Sequence, residues 1–421
     1  MKKYILTLVA FNLSLFTYGQ SAGIGEAFIN DLFVEKNYDK AHSYFDEMVK
    51  NQLSVNSLKD TEEKIEKQVG GFKSIIEINS ELNTYFFFTD FKNAKLDIKI
   101  TINKSQKIVG FFFVPHREFK KVEILGEDLN IKSLGIELKG TLLLPEKSNK
   151  KKMLIFVHGS GPQDRDATII ENKPFKDIAE ELYRRGIGSY RFDKRTLSNP
   201  ESFGGTTNKT IDDEVTNDVL SIIDYFKNDL KFSQYEIILL GHSFGGYMLP
   251  RVANKTKNIS KLIFLAGNSR PIDVLVLEQL EYLNKIDPAD GLKVQLKKFK
   301  QQVGYLNSSN FSLNSPKEKL PFSLSAYYWK SLLDYKPLID VKKIKVPILV
   351  LQGERDYQIK MEDYQLWKES LKLNKTAKFI SYLNLNHLFM EGTGLSVPKE
   401  YSVKGNVNQD VIRDIEIFIK N

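Results

Sequence analysis

The sequence predicts an α/β fold with a mostly parallel sheet over residues 119–421, preceded by a small α+β domain over residues 20–118. Two observations predict this arrangement. Beyond residue 119, apolar strand segments alternate with helical segments, which is typical of a parallel sheet covered by helices on both faces. Ahead of it, helical segments are followed by strictly alternating segments that predict a hairpin. We therefore expect two domains with separate cores.

Residues 1–19 carry the pattern of an export signal peptide. Lys2 and Lys3 form a positively charged start, residues 4–16 are mainly apolar and uncharged, and small residues lead to a cleavage point after Gly19. The apolar run is too short for a comfortable membrane span, and no later segment approaches spanning length. We expect a protein exported to the periplasm or the medium, without stable insertion into a membrane.

Three helices and a hairpin make up the predicted small domain. Apolar residues recur at helical spacing in residues 27–36 and 38–50, and residues 61–69 suggest a third short helix. Residues 95–102 alternate strictly and lead through a turn-like segment into a second strand at 108–114. No combination of acid, base and nucleophile occurs here, so we expect the chemistry to lie in the larger domain.

Seven strands and five helices are predicted in the larger domain. The strand segments are 134–144, 153–158, 187–192, 236–241, 260–266, 346–352 and 377–383. Helical periodicity falls between most of them, at 175–185, 211–229, 245–254, 363–373 and 408–420. Between about 270 and 340 the alternation gives way to a long helical and irregular stretch. An insertion of that size after a core strand typically forms a cap over a site.

Composition excludes several classes of site. The chain has no cysteine, which excludes disulfides, a thiolate nucleophile, zinc–thiolate sites and iron–sulfur clusters. The formal net charge is +8 over 421 residues, and no basic stripe is interleaved with aromatic residues. We therefore expect no nucleic-acid partner.

Two charged segments favour ion pairs over chemistry. Asp164 and Asp166 could approach a metal ion, but no histidine or third acid clusters with them, so no metal is expected. Lys194 and Arg195, directly after strand 187–192, are likewise expected to form ionic contacts.

The segment Gly241-His242-Ser243-Phe244-Gly245 follows an apolar strand and precedes a helix. A G-x-S-x-G sequence in this context is typical of a nucleophile elbow, in which the serine occupies a strained turn and the glycines relieve crowding around it. The serine hydroxyl then projects at the carboxyl end of the sheet, where the N-terminus of the next helix faces the reacting atom. We predict that Ser243 is the catalytic nucleophile. The alternative is an ordinary tight turn with a buried serine.

A serine nucleophile needs a base and an acid. Among the five histidines, His387 stands on a loop after a late strand, which is where the order nucleophile, acid, base along the chain places the base. The acid should follow strand 346–352, and Asp356 is the first choice to accept the Nδ1–H of the histidine. Glu354, in the same turn, is the alternative.

Backbone N–H groups form the predicted oxyanion hole. One donor is the N–H of Phe244, directly after the nucleophile. The second should come from the glycine-rich loop after strand 153–158, with the N–H of Ser160 preferred and that of Gly161 as the alternative.

The insertion contains a group of aromatic residues that could line an acyl pocket. The alternative is that these residues pack beneath a cap, where closely spaced aromatic residues are equally common. The residues are Phe322, Tyr327, Tyr328 and Trp329.

Four segments carry a resemblance to a known family: His158-Gly159-Ser160-Gly161-Pro162-Gln163-Asp164-Arg165-Asp166, Gly241-His242-Ser243-Phe244-Gly245-Gly246, Leu351-Gln352-Gly353-Glu354-Arg355-Asp356-Tyr357-Gln358 and Asn386-His387-Leu388-Phe389. Through them, residues 122–421 resemble the EstD-type bacterial carboxylesterases of the α/β-hydrolase fold, often grouped with serine-aminopeptidase-like hydrolases. The resemblance implies that Ser243, Asp356 and His387 are nucleophile, acid and base. Residues 21–118 resemble, more loosely, a small domain of unknown function that is often fused ahead of such hydrolases.

We therefore predict an exported serine hydrolase that cleaves carboxylic esters of short acyl chains through an acyl-enzyme intermediate, with no metal or organic cofactor. The expected partner is a small-molecule ester. The basic, polar segment 293–302 argues against the broad apolar lid of a long-chain lipase. Glu278 and Glu281, at helical spacing, are better explained as a solvated face than as a site for a substrate ammonium group. The alternatives are an aminopeptidase or thioesterase with the same triad, or a non-catalytic binding protein on a hydrolase scaffold.

Overall fold

The computed structural model describes residues 20–81, 83–103, 105–115, 126–145, 151–201 and 208–421. The predicted signal peptide, residues 1–19, lies outside the described residues. The described residues form two compact units, one of residues 20–115 with Glu391–Thr393, the other of residues 126–390 with Gly394–Asn421. None of the described helices is both long enough and apolar enough to cross a membrane.

The first unit packs four helices against a four-stranded antiparallel sheet with strand order β1-β2-β3-β4. Helix α1 continues into one π-helical turn, Asn30–Val34. The helices are α1 (Gln20–Ile29), α2 (Tyr38–Ser43), α3 (Glu47–Lys50) and α4 (Val55–Val69). The strands are β1 (Phe72–Glu81), β2 (Thr84–Phe91), β3 (Lys95–Ile102) and β4 (Ile108–Pro115). The core between the layers is rich in phenylalanine, including Phe28, Phe45 and Phe87.

Three features of this unit differ from the sequence prediction. The helix predicted over 38–50 is two helices, because Phe45 pairs with Ile108 and the Asp46 side chain caps α3 through the Met48 N–H. The third helix is longer than predicted and begins at Val55, after Ser54 caps it. Strands β1 and β2 were not predicted.

The second unit is built on an eight-stranded sheet with the order β14-β13-β12-β11-β9-β10-β8-β5. Neighbouring strands from β14 to β10 pair in parallel, and β8 pairs antiparallel with β10 and β5. The strands are β5 (Glu127–Asp128), β8 (Gly140–Leu143), β9 (Lys152–Val157), β10 (Gly188–Phe192), β11 (Glu236–His242), β12 (Lys261–Leu265), β13 (Ile348–Gly353) and β14 (Ala377–Tyr382). The predicted α/β class with a mostly parallel sheet is confirmed.

One predicted strand, 134–144, is divided in the structure. Its first part contains β7 (Ile136–Leu138), which pairs with the preceding β6 (Ile131–Ser133) in a separate two-stranded hairpin, and its second part is β8 of the main sheet. The turn of the hairpin places Leu134 and Gly135 at positive φ. Both sections are apolar, so the sequence pattern does not show the change of sheet at Lys139.

Helices cover both faces of the main sheet. They are α5 (Pro174–Arg184), α6 (Arg195–Ser198), α7 (Asn217–Asn228), α8 (Phe244–Ala253), α9 (Ile272–Ile286), α10 (Asp290–Leu306), α11 (Ala326–Asp334), α12 (Pro337–Asp340), α13 (Met361–Ser370) and α14 (Gln409–Lys420). A π-helical turn, Asp212–Thr216, leads into α7. Helices α9 to α12 lie between β12 and β13, in the segment predicted as an insertion.

Successive side chains of each central strand point to opposite faces of the sheet and pack in two separate hydrophobic cores. Ile155 and Val157 of β9 pack with residues of α7, α8 and α13, whereas Leu154 and Phe156 pack with residues of α5 and α14. A parallel strand that is buried on both faces is expected to be a continuous apolar run, as β9 is. The carboxyl ends of β9, β11, β13 and β14 lie at the same edge of the sheet, and the candidate site is built there.

Candidate active site

Ser243 occupies a strained turn between β11 and α8. Its backbone has φ 54° and ψ −121°, a conformation that costs a residue with a side chain on the order of 1–3 kcal/mol. The turn is held on both sides, because the Ser243 N–H donates to the Leu265 carbonyl at 3.0 Å and the Ser243 carbonyl accepts from the Tyr247 N–H at 3.2 Å. A serine in this conformation is the geometry of a nucleophile elbow.

The glycines around Ser243 are required by close backbone contacts. A Cβ on Gly241 would lie 2.5 Å from the carbonyl carbon of Gly245, and one on Gly245 would lie 2.1 Å from the Val157 carbonyl oxygen. A Cβ on Gly246 would lie 2.6 Å from the Cα of Gly267. Each of these contacts is with backbone, which cannot rotate away, so the elbow fits against β9 and β12 only with glycine at these positions.

His387 and Asp356 form a buried pair at the same sheet edge. The Asp356 Oδ2 lies 2.6 Å from the His387 Nδ1, and their side chains are almost fully shielded from solvent. The other carboxylate oxygen of Asp356 accepts the backbone N–H groups of Gln358 at 2.8 Å and Ile359 at 3.0 Å, and Gln352 Nε2 donates to Oδ2 at 3.2 Å. The carboxylate is therefore fixed in place. It holds the proton on Nδ1 and leaves Nε2 of the imidazole as the acceptor.

His242 connects the elbow to the His387 loop. Its Nε2 lies 2.9 Å from the His387 carbonyl oxygen, and the two imidazole rings are 4.6 Å apart between centroids. The carbonyl can only accept, so the His242 Nε2 carries the proton. Burial lowers the pKa of His242 to about 3, with a smaller contribution from His387, so it is neutral near pH 7. His242 thus places the base beside the elbow. Ser243 and His387 both lie in the described part of the chain, and no hydrogen bond links Ser243 Oγ to His387 Nε2 there.

Glu354, the alternative acid, and His158, a histidine at the end of β9, have other partners. The Glu354 carboxylate is exposed and accepts the hydroxyl of Ser381, a residue of β14, at 2.7 Å. His158 is buried with its Nε2 3.1 Å from the Asp164 carbonyl oxygen. Burial, with help from the nearby Lys194 charge, lowers the pKa of His158 to about 3.

The three predicted oxyanion donors lie on two adjacent segments. Phe244 is the first residue of α8, so its N–H is one of the amides that a helix leaves without an internal partner. In the described structure, the N–H groups of Ser160 and Gly161 donate to no protein acceptor. Their loop approaches the nucleophile closely, because a Cβ on Gly159 would lie 3.3 Å from the Ser243 Cβ. Gly161 has φ +78°, which favours glycine.

The four aromatic residues proposed for an acyl pocket have different environments. Trp329 is fully buried and its Nε1 donates to the Pro321 carbonyl at 3.1 Å. Tyr328 is buried and its hydroxyl donates to Glu214. Phe322 stacks on Trp329 with 6.4 Å between ring centroids, whereas Tyr327 is 40% exposed. The structure thus places Tyr328 and Trp329 in the packing of the insertion.

The Asp164–Asp166 segment forms internal contacts. Arg165 binds both oxygens of the Asp193 carboxylate, at 3.0 and 2.8 Å, and Asp166 pairs with Arg191. Asp164 accepts the backbone N–H and hydroxyl of Thr168. These carboxylates stabilise the loop after β9. Among the described residues, no three histidine, aspartate or glutamate side chains are grouped so that they could hold a metal ion.

Sequence reasoning missed the role of Gly353 in the site geometry and, although it predicted ionic contacts for Lys194, missed the contact of Lys194 with the oxyanion loop. A Cβ on Gly353 would lie 2.4 Å from the Leu385 carbonyl oxygen and 2.8 Å from that of Asn386, so glycine there lets the His387 loop pack on the end of β13. The position of this glycine, between a strand and the predicted acid, was the available signal. Lys194 contacts the loop that carries Ser160, and no local sequence pattern marks that contact.

Residues 154–401 match the alpha/beta hydrolase family, and the chain belongs to that family. Residues 26–111 match a family described as a protein of unknown function, DUF3887.

Across 399 residues the chain is 30% identical to an esterase, EstD, from Thermotoga maritima, in a match that covers 91% of this chain and 93% of the relative. The predicted resemblance to EstD-type carboxylesterases is therefore confirmed. The relative is itself an esterase, which is the enzyme class that the sequence predicts.

Solved structures with a similar fold include two esterases. The Pyrococcus furiosus esterase Pf2001 is 17% identical and covers 73% of this chain and 94% of its own, with a TM-score of 0.48. Est1E from Butyrivibrio proteoclasticus is 18% identical and covers 70% of this chain and 98% of its own, with a TM-score of 0.45.

Proposed function

We propose that this protein is a serine esterase in which Ser243, His387 and Asp356 cleave carboxylic esters. The observation that carries the proposal is the buried Asp356–His387 pair, 2.6 Å apart, beside a serine in elbow geometry. A carboxylate on Nδ1 leaves Nε2 free to accept a proton, which is the arrangement that a serine nucleophile requires. The 30% identity to an esterase across nearly the whole chain supports the same reaction class.

The residues would act in two half-reactions. Ser243 Oγ attacks the ester carbonyl carbon while His387 Nε2 accepts the hydroxyl proton, and the N–H groups of Phe244 and Ser160 bind the oxyanion. The tetrahedral intermediate collapses to an acyl-enzyme, and His387 returns the proton to the leaving alcohol. Water then attacks the acyl carbonyl with His387 as base, and the carboxylic acid leaves as Ser243 regains its proton. Asp356 stabilises the imidazolium in both halves.

The environment of the acidic residues in the insertion supports esters over peptides with a free N-terminus. An aminopeptidase needs an available carboxylate to bind the substrate ammonium. The Glu278 carboxylate is paired with Arg270 at 2.8 Å and Lys360 at 2.9 Å, and Glu281 is paired with Lys300 at 2.7 Å. Both carboxylates therefore already have cationic partners within the protein, which disfavours their use as a site for a substrate ammonium group. An alkoxide is also a better leaving group than an amine, so ester cleavage demands less of His387.

We propose short acyl chains as the preferred substrates. Helix α10 exposes a basic surface, with Lys293, Lys297 and Lys300 accessible to solvent, rather than the broad apolar surface that would cover a long chain. Hydrogen bonds to Glu214 and to the Pro321 carbonyl hold Tyr328 and Trp329 in the packing of the insertion, which supports an insertion that does not move aside to admit a long chain.

A series of p-nitrophenyl esters from acetate to palmitate, assayed beside aminoacyl p-nitroanilides, tests the substrate class. We expect the highest kcat/KM for acetate to hexanoate. Each added methylene contributes about 0.8 kcal/mol until the chain meets the wall, after which kcat/KM falls. Ser243→Ala in the same panel corrects for background hydrolysis. A maximum at palmitate would contradict the short-acyl proposal, and a maximum among the anilides would favour an aminopeptidase.

We also propose that residues 1–19 direct export of the protein. The support is the charged start followed by an apolar run and small residues. N-terminal sequencing of the protein recovered outside the cytoplasm is expected to begin at Gln20, whereas an intact Met1 on cytoplasmic protein would contradict export.

A further inference from the structure

A buried ionic cluster lies directly behind the loop that carries Ser160. The Lys194 side chain is only 3% exposed, and its ammonium group pairs with Glu214 Oε1 at 2.5 Å. The other oxygen of Glu214 accepts the hydroxyl of Tyr328. The remaining donors of Lys194 reach the carbonyl oxygens of Gly159 at 2.8 Å and Gly161 at 3.1 Å. All three ammonium donors therefore have partners, and two of those partners belong to the candidate oxyanion loop.

The contact with the Gly159 carbonyl determines the direction of the Ser160 N–H. In a planar trans peptide the C=O and N–H groups point in opposite directions, and no cis peptide bond occurs among the residues that the structure describes, which include Gly159 and Ser160. Because the Gly159 oxygen points at the ammonium, the N–H of Ser160 points away from it. A cation bound to the carbonyl also polarises the peptide, which makes its N–H a stronger donor.

The same lysine contacts both segments that supply oxyanion donors. Its backbone N–H donates to the Gln163 carbonyl at 3.0 Å, which ties a third point of the loop. Its ammonium also lies 5.9 Å from the centroid of the Phe244 ring. Phe244 supplies the other candidate donor. Lys194 thus lies where it can fix the two N–H groups relative to each other.

We propose that Lys194 is a positioning residue that aligns the Ser160 N–H for the oxyanion, with Glu214 and Tyr328 holding its ammonium in place. This inference rests on the proposed esterase function. Lys194 does not touch the substrate. It acts through the peptide between Gly159 and Ser160, and its effect is therefore greatest in the transition state, where the oxyanion carries charge. Through Tyr328, helix α11 of the insertion is joined to the same loop.

The chain offers a matched control in the adjacent residue. Arg195 is also buried and pairs with Asp218, whose carboxylate accepts the Ser133 hydroxyl as Glu214 accepts that of Tyr328. Among the described residues, the Arg195 guanidinium donates to Asp218 and forms no hydrogen bond with the oxyanion loop. Replacing either pair by uncharged side chains removes one buried ion pair, so a merely structural role predicts similar effects for both.

The experiment compares Lys194→Met/Glu214→Gln with Arg195→Met/Asp218→Asn. We expect the Lys194 double variant to have kcat at least about tenfold below that of the control, with KM within about threefold, since loss of a whole oxyanion donor costs about 10²–10³ in kcat. The Ki of a trifluoromethyl ketone, which forms a tetrahedral oxyanion on the serine, should rise by a factor similar to the loss of kcat/KM. Equal kcat and equal Ki in the two double variants would overturn the proposal.

One further variant and the wild-type protein make every outcome decisive. If circular dichroism shows that the double variant does not fold, Lys194→Arg keeps the charge beside Glu214. No guanidinium nitrogen carries more than two N–H groups, so none can replace the ammonium on Glu214 and both carbonyl oxygens at once. We therefore expect kcat to fall at least about fivefold and the ketone to bind more weakly. Unchanged values for Lys194→Arg would overturn the proposal. Wild-type protein without Ser243-dependent ester hydrolysis would instead overturn the esterase function itself.

Discussion

Replacing His387 by glutamine is expected to lower kcat for ester hydrolysis by about 10⁴-fold or more, because triad members act as a unit. Glutamine occupies a similar volume and can still donate to Asp356, but it cannot accept the proton of Ser243. KM should change little, since the imidazole acts on the proton in the transition state rather than on the bound ester. The measurement is steady-state kinetics with p-nitrophenyl acetate.

His42→Gln is the control for the His387 substitution. His42 belongs to the other unit, where its Nε2 lies 2.7 Å from the Leu53 carbonyl oxygen, so its replacement should leave kcat unchanged. Retention of kcat within about tenfold of wild type by His387→Gln would contradict the role of His387 as general base.

Replacing Gly245 by alanine is expected to unfold or strongly destabilise the second unit. The added Cβ would lie 2.1 Å from the Val157 carbonyl oxygen and 2.7 Å from that of His158. Both are backbone atoms of the strand and loop against which the elbow packs, so relief requires separation of α8 from β9. We expect the free energy of unfolding to fall by about 3 kcal/mol or more. This is the largest loss that is typical when an extra group is forced into a packed core. Chemical denaturation measures this loss.

Gly304→Ala provides the matched control for overpacking. Gly304 lies in α10, where a Cβ would meet no atom within 4 Å. Alanine there should stabilise the helix by up to about 1 kcal/mol, because glycine is the poorer helix former. A Gly245→Ala protein within about 1 kcal/mol of wild type would contradict the close packing of the elbow.

The sequence pattern predicted the central sheet well because its strands are uniformly apolar and are separated by amphipathic helices. It failed at β2, where Tyr85, Phe86, Phe87 and Phe88 follow one another without alternation. Phe87 is buried on the helix side of the small sheet, and Phe86 and Phe88 are also shielded, so both faces of the strand carry large apolar residues. A strand with apolar residues on both faces shows no alternation of apolar and polar residues, so its sequence lacks the pattern from which a strand is predicted.

Those residues of the candidate site could be predicted whose position in the fold follows from the order of strands and helices along the chain. Ser243 follows a strand and precedes a helix, and His387 follows the last strand, so topology alone brings them to one edge of the sheet. The cluster behind the oxyanion loop was not predictable in this way. Lys194, Glu214 and Tyr328 come from separate segments, and Tyr328 lies 114 residues beyond Glu214 in the chain. Only the folded structure shows that an aromatic residue of the insertion completes a buried ion pair.

The most direct test of the central claim is covalent labelling with a fluorophosphonate probe, followed by mass spectrometry of the labelled peptide. The probe phosphonylates a serine only where a base activates it and an oxyanion hole binds the new oxyanion. We predict that the full-length protein is labelled on Ser243 and that Ser243→Ala, folded by circular dichroism, is not. A wild-type protein that remains unlabelled, or a label that persists in Ser243→Ala, would contradict the assignment of Ser243 as the nucleophile.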